Sequence, residues 1–114
     1  MIVLTEGHKY LLEHFEKTEG FISTGICDRW NGQVIQFIEK APVEEGSSEL
    51  KTINNGTTNE EVIEMLINRI TFLNNKFPSR ENSIVITKLE EVLMWLEKRT
   101  KDRLKRGVEG KNIK

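Results

Sequence analysis

The chain has 114 residues, a formal net charge of −1 from 17 Lys and Arg against 18 Asp and Glu, and 37% hydrophobic and 31% charged residues. That length is one domain's worth, here 1–114, and leaves no room for a second catalytic lobe. The balanced charge supplies no general field for nucleic acid or an anionic membrane, so any anion site must be local.

The first half, 1–56, reads as β-rich. Lys9 to Glu16 and Gln33 to Lys40 combine aromatic and β-branched residues with alternation. In the second run Val34, Gln36 and Ile38 face one way, and Ile35, Phe37 and Glu39 the other. A third short strand, Leu50 to Ile53, follows the acidic, Gly- and Pro-containing loop Pro42 to Ser48. The expected sheet is small and antiparallel. Phe21 to Asn31 has apolar content without a clear period, and its state stays open.

The second half, 57–110, reads as a helical hairpin. Thr58 and Glu61 have capping-box spacing, and Val62, Leu66, Ile70, Leu73 and Phe77 then recur at helical spacing, widened by Ile63 and Ile67, until Pro78 ends the run. Ser79 offers an N-cap for a second helix, Arg80 to Arg106, which Gly107 ends. So short a link predicts antiparallel helices. The second helix spans about 40 Å at 1.5 Å per residue. Val85, Leu89, Val92, Leu93 and Leu96 suffice to pack it on the first. Ile84, Ile86, Met94 and Trp95 then leave a second apolar face, to be covered by the sheet or by other copies of the chain. The fold class predicted is α+β: a small N-terminal antiparallel sheet, then a long two-helix hairpin, in a homo-oligomer.

No catalytic constellation stands out. The lone cysteine, Cys27, cannot form an internal disulfide and reads as a small buried hydrophobe. His8 and His14 would share a strand face, but nothing supplies further metal ligands. Phosphate-binding glycine loops are missing, and no apolar run nears the roughly 20 residues of a membrane span. The start MIVLTEGHKYLLEHF lacks a signal-peptide pattern, so a reducing cytoplasm is expected, with no metal or cofactor. Two polar groups remain. Phe72, Asn75, Arg80 and Asn82 gather at the hairpin turn, a ring and amides that suit a nucleobase; Arg99, Thr100, Asp102 and Arg103 follow Trp95 in the distal helix. Each has a plainer alternative: Phe72 as core, Asn82 as a cap, and Arg99, Arg103 and Arg106 as cations offsetting the helix dipole.

The stretch from Asn55 to Gly110, above all RENSIVITKLEEVLMWLEKRTKDR followed by GVEG, resembles the helical hairpin shared by phage Thoeris anti-defence sponges and the smaller anti-CBASS cyclic nucleotide sponges. The β-rich half, including GQVIQFIEK, is closer to the Thoeris type, which carries a small sheet on its hairpin. This resemblance implies a non-enzymatic decoy in the cytoplasm of the infected bacterial host, which holds cyclic immune messengers intact so that effectors stay silent. The implied ligands are glyco-cyclic ADP-ribose for the Thoeris type and cyclic di- or trinucleotides for relatives. They are bound at subunit contacts in oligomers, commonly hexamers. By position, Phe72 and Asn82 are implied in base recognition and Arg99 in phosphate recognition, with Thr100 and Arg103 beside it. Arg80 and Thr87 are implied in a second site for cyclic trinucleotides. The alternative is a helical-hairpin interaction or assembly module with no nucleotide ligand.

Overall fold

A computed structural model describes residues 1–16 and 32–114. Cys27 and the segment from Phe21 to Asn31 lie outside the described residues. Five strands and two helices follow in order: β1 (Ile2–Thr5), β2 (Lys9–Glu13), β3 (Gly32–Gln36), β4 (Glu39–Pro42), β5 (Leu50–Asn54), α1 (Asn59–Lys76) and α2 (Arg80–Arg106). They form two compact units, Met1–Glu39 with Thr52–Thr57, and Lys40–Lys51 with Thr58–Lys114.

In the first unit β2 is the central strand of an antiparallel sheet ordered β1-β2-β3. Leu11 stands opposite Ile2 and Val34, and Tyr10 opposite Val3 and Ile35. Residues paired in this way project to the same face, so Ile2, Leu11 and Val34 share one side. Leu11, on the strand flanked from both sides, is 2% exposed and is the one buried side chain among the described residues. On the opposite face the Tyr10 and Phe37 rings meet edge to face, 6.0 Å between centroids.

Three expectations change here. The run from Gln33 to Lys40 is not one strand; it breaks at Phe37 and Ile38, where Phe37 N–H donates to the His8 carbonyl at 2.7 Å and Ile38 N–H to Thr57 at 2.9 Å. Alternation reports which way side chains point and says nothing of which strand they pair with, so one continuous pattern serves two sheets. Gly56 permits the crossing: a Cβ there would collide with the Gln36 carbonyl oxygen, beside the Phe37–Thr57 bridge. The first predicted strand also stops at Glu13, and β1, four residues of IVLT, is an element the pattern was too short to reveal.

β4 and β5 pair as a two-stranded ribbon. Its base carries a hydrogen bond from Asn54 Nδ2 to Glu39 Oε1 (3.1 Å), and near its tip Val43 N–H donates to Glu49 (2.9 Å) and Ser47 N–H to Glu44 (3.0 Å). The acidic loop is thus a turn with partners of its own.

In the second unit Thr58 Oγ1 accepts from Glu61 N–H and caps α1, while Ser79 Oγ accepts from Asn82 N–H and caps α2. Gly107, at φ 73°, closes α2 in the left-handed conformation that only glycine adopts freely. The seam of the hairpin is heptad-like. Half-buried positions fall at Glu60, Ile63, Ile67, Ile70 and Asn74 on α1, with Val62 and Thr71 beside them, and at Asn82, Ile86, Leu89, Leu93, Leu96, Thr100 and Arg103 on α2. The stripes expected from sequence differ. Leu66, Leu73, Val85 and Val92 are each more than a third exposed and Phe77 is 79% exposed, while Ile86 takes a seam position. Steps of four residues drift around a helix, whereas alternating threes and fours stay against a neighbour. Neither helix has a fully buried residue. Among the described residues no helix is long and apolar enough to cross a membrane.

Candidate functional site

Both polar groups lie on the hairpin. At the turn, Asn74 reaches from the last turn of α1 to the start of α2: its Oδ1 accepts from Ser79 N–H at 2.9 Å and its Nδ2 donates to Ser83 Oγ at 3.3 Å. Ser79 in turn caps Asn82 N–H at 3.0 Å. Three side chains therefore lock the end of one helix to the beginning of the next. Asn82 is half-buried at the turn end of the seam, and its side-chain amide has no hydrogen-bond partner among the described residues. The cap comes from Ser79, which leaves the Asn82 amide free to read a ligand edge.

Phe72 is 52% exposed, so the hairpin does not absorb it as core. Lys76, one turn on, holds its Nζ 5.0 Å from the ring centroid. An exposed ring with an ammonium over it is a stacking surface beside a cation, which suits an aromatic base carrying phosphate. Arg80 and Thr87 are exposed and seven residues apart, and so share one face of α2. Thr87 Oγ1 donates to the Ser83 carbonyl at 3.1 Å, while Arg80 has no ion pair among the described residues.

The distal group is cationic. Trp95, Lys98, Arg99, Asp102, Lys105 and Arg106 line a shallow depression of about 590 Å³ along one face of α2. Four cations face one carboxylate, and that carboxylate pairs with Lys98 at 3.3 Å. Arg99 is exposed and unpaired among the described residues, with its planar fork available for a phosphate. Trp95, 56% exposed, adds a second aromatic face. Of the wall residues, the sequence pattern misses Lys98 and Lys105, and it reads Trp95 and Arg106 as an apolar face and a helix-end cation. Their signal was present in the spacing of four, three and four that puts Trp95, Arg99, Asp102 and Arg106 on one face. Thr100 and Arg103 lie around the helix on the seam, half-buried.

A single chain does not bring the two groups together. Asn82 and Arg99 are seventeen residues apart on one continuous helix, about 26 Å along its axis. Among the described residues, no three His, Cys, Asp or Glu side chains gather as metal ligands.

The family model of the Acb2/Tad1 hairpin domain matches residues 32–101, which takes in β3 through most of α2. The chain belongs to the Acb2/Tad1 hairpin-domain family. Phe72, Arg80, Asn82, Thr87, Arg99 and Thr100 fall inside the matched region, and Arg103 lies beyond it. The chain is also similar to Thoeris anti-defense 1 of Bacillus phage SBSphiJ7, at 44% identity over 88 residues, covering 67% of this chain. It spans 62% of that phage protein's length.

Proposed function

We propose that this member of the Acb2/Tad1 hairpin family is a phage anti-defence sponge of a single functional domain, 1–114. It acts in the cytoplasm of the infected bacterium and captures cyclic nucleotide immune signals without degrading them. Glyco-cyclic ADP-ribose is the first candidate ligand, and cyclic di- and trinucleotides are the next. The phage relative's name, Thoeris anti-defense 1, supports the setting. The observation that carries the reading is the separation of the two polar groups by about 26 Å along α2. A base-type group with Phe72 and Asn82 and a phosphate-type group with Arg99 are too distant for one small cyclic ligand to touch both on one chain. Two copies running in opposite senses would bring the turn of one beside the distal depression of the other. The ligand then closes the contact between copies, and water is displaced from both groups at once. This arrangement calls for a homo-oligomer; its expected size, a hexamer, is what the family resemblance implies.

Binding without turnover needs only complementarity: a ring to stack on Phe72, an amide edge at Asn82 and a bidentate cation at Arg99. Thr100 stands next to Arg99 in this reading, Arg103 is bound to the segment after α2, and Arg80 with Thr87 would serve a second site. A decoy must outcompete effectors for scarce messenger, so a Kd in the nanomolar range, roughly −12 kcal/mol, is expected. The test is to incubate the pure protein with a panel of cyclic messengers, filter it, release what is retained by heat, and identify it by mass. Recovery of an unchanged messenger supports the sponge; retention of none removes it, and an altered product points to an enzyme.

The exposed apolar side chains of the hairpin, Phe77 at 79% above all, favour a second reading: an interaction or assembly module with no nucleotide ligand. A monomer that binds a host protein and ignores every messenger would select it.

A further inference from the structure

We infer that Arg103 is a positioning residue that straps the segment Val108–Ile113 onto the end of α2, and that it presents no charge to a ligand. The need for such a residue lies in the lengths of the helices. α2 has 27 residues and α1 has 18, so the seam of α2 runs beyond its partner, and Thr100 and Arg103 are the seam positions on that overhang, Arg103 the charged one. A half-buried guanidinium there requires acceptors that α1 does not reach to supply.

The chain itself supplies them. Arg103 Nη1 donates to the Ile113 carbonyl at 2.6 Å, Nη2 to the carbonyls of Val108 and Lys111 at 2.8 and 2.9 Å, and Nε to Glu109 Oε2 at 3.1 Å. Its side chain is 11% exposed. Four of the roughly five N–H donors that a guanidinium offers are thus committed to one short segment. The segment is tied at its other side as well: Val108 N–H donates to the Arg103 carbonyl, Lys111 N–H to Val108, and Asn112 N–H to the Ser48 carbonyl at 2.8 Å, with Lys111 bridging Glu49. Arg103 therefore holds the tip of the β4–β5 ribbon to the end of α2 through the strap. A lysine could not replace it, because one ammonium cannot fork to three carbonyls and a carboxylate spread over six residues. Arg99 one turn earlier and Arg106 one turn later, both on the depression, remain the guanidiniums available to an anion.

Hydrogen exchange on the full chain without ligand tests the strap independently of the sponge reading. In Arg103→Gln the amides of Lys111 and Asn112 should exchange faster by roughly tenfold or more, with those of Ile67 and Leu93 unchanged. Arg103→Lys should fall between. Asn112→Pro, which deletes the donor to Ser48 and leaves Arg103 intact, should leave the Lys111 amide protected and serves should the Arg103 variants fail to fold; a freed Lys111 there would show that Arg103 does not hold the strap. The inference is overturned if Lys111 and Asn112 already exchange freely in the unaltered protein. It is equally overturned if they stay protected in the folded Arg103→Gln variant, and that result joined to lost messenger binding would return Arg103 to the ligand.

Discussion

In the proposed sponge, Asn82 and Arg99 would carry different parts of the recognition chemistry, and the side chains around them show that neither is tied up by a hydrogen bond or ion pair of its own side chain among the described residues. Ser79 already caps α2, and Arg99 makes no ion pair among the described residues. Removing the exposed Arg99 side chain should leave folding nearly untouched, since surface changes away from caps and cores stay within about 0.5 kcal/mol, and Asn82→Ala keeps the backbone N–H that Ser79 caps, so the helix start should persist. Asn82→Ala and Arg99→Ala should each weaken messenger binding by roughly tenfold or more, the worth of one good charged or bidentate contact, with the oligomer's mass unchanged by light scattering. Arg99→Lys should recover only part of the affinity, because a point charge cannot engage two phosphate oxygens at fixed geometry. Loss of the oligomer in place of binding would make these residues structural.

The hairpin is an element held together by its ends as much as by its seam. Asn74 satisfies Ser79 N–H and bonds Ser83, so Asn74→Ala strands a half-buried donor at the turn. Thermal unfolding should show a loss of about 1–3 kcal/mol for that variant, with Asn74→Asp, which keeps the acceptor, losing less. The seam makes a second prediction. Leu93→Ala, at a half-buried heptad position, should destabilise by about 1–2 kcal/mol, whereas Val85→Ala, on the open face, should cost less than about 0.5 kcal/mol. Denaturant midpoints that rank the two in the opposite order would show that Val85 faces the partner helix and that the seam is misplaced.

At the scale of the whole molecule, one described side chain is buried and a row of large apolar ones is not. Leu66, Leu73 and Phe77 lie along one side of α1, and Val85, Val92 and Trp95 along α2, each at least a third exposed. Such surface is expensive to leave in water, and further copies of the chain would cover it. Phe77→Glu should accordingly reduce the sedimenting mass toward that of a single chain while the helical circular dichroism persists. Messenger affinity should fall with it, because a site shared between copies disappears when they part. A mass unaffected by the charge would place the subunit contact elsewhere.

Much of this was legible in the sequence because it rests on local chemistry. Thr58, Ser79, Pro78 and Gly107 mark helix ends through their own hydroxyls and backbone preferences, and those marks define the hairpin with no knowledge of what it packs against. The resemblance of the helical half likewise rests on contiguous residues. What the sequence left undecided depends on neighbours distant in the chain. Alternation across Val34 to Glu39 did not say that the strand changes sheets at Phe37, since pairing is chosen by Thr57 and His8. The apolar residues of both helices were visible, but which of them meet was set by a seam that only two packed helices define. Arg103 reads as one more cation near a helix end until the segment beyond it folds back. Its role is a matter of which carbonyls lie within about 3 Å, and only the tertiary structure decides that.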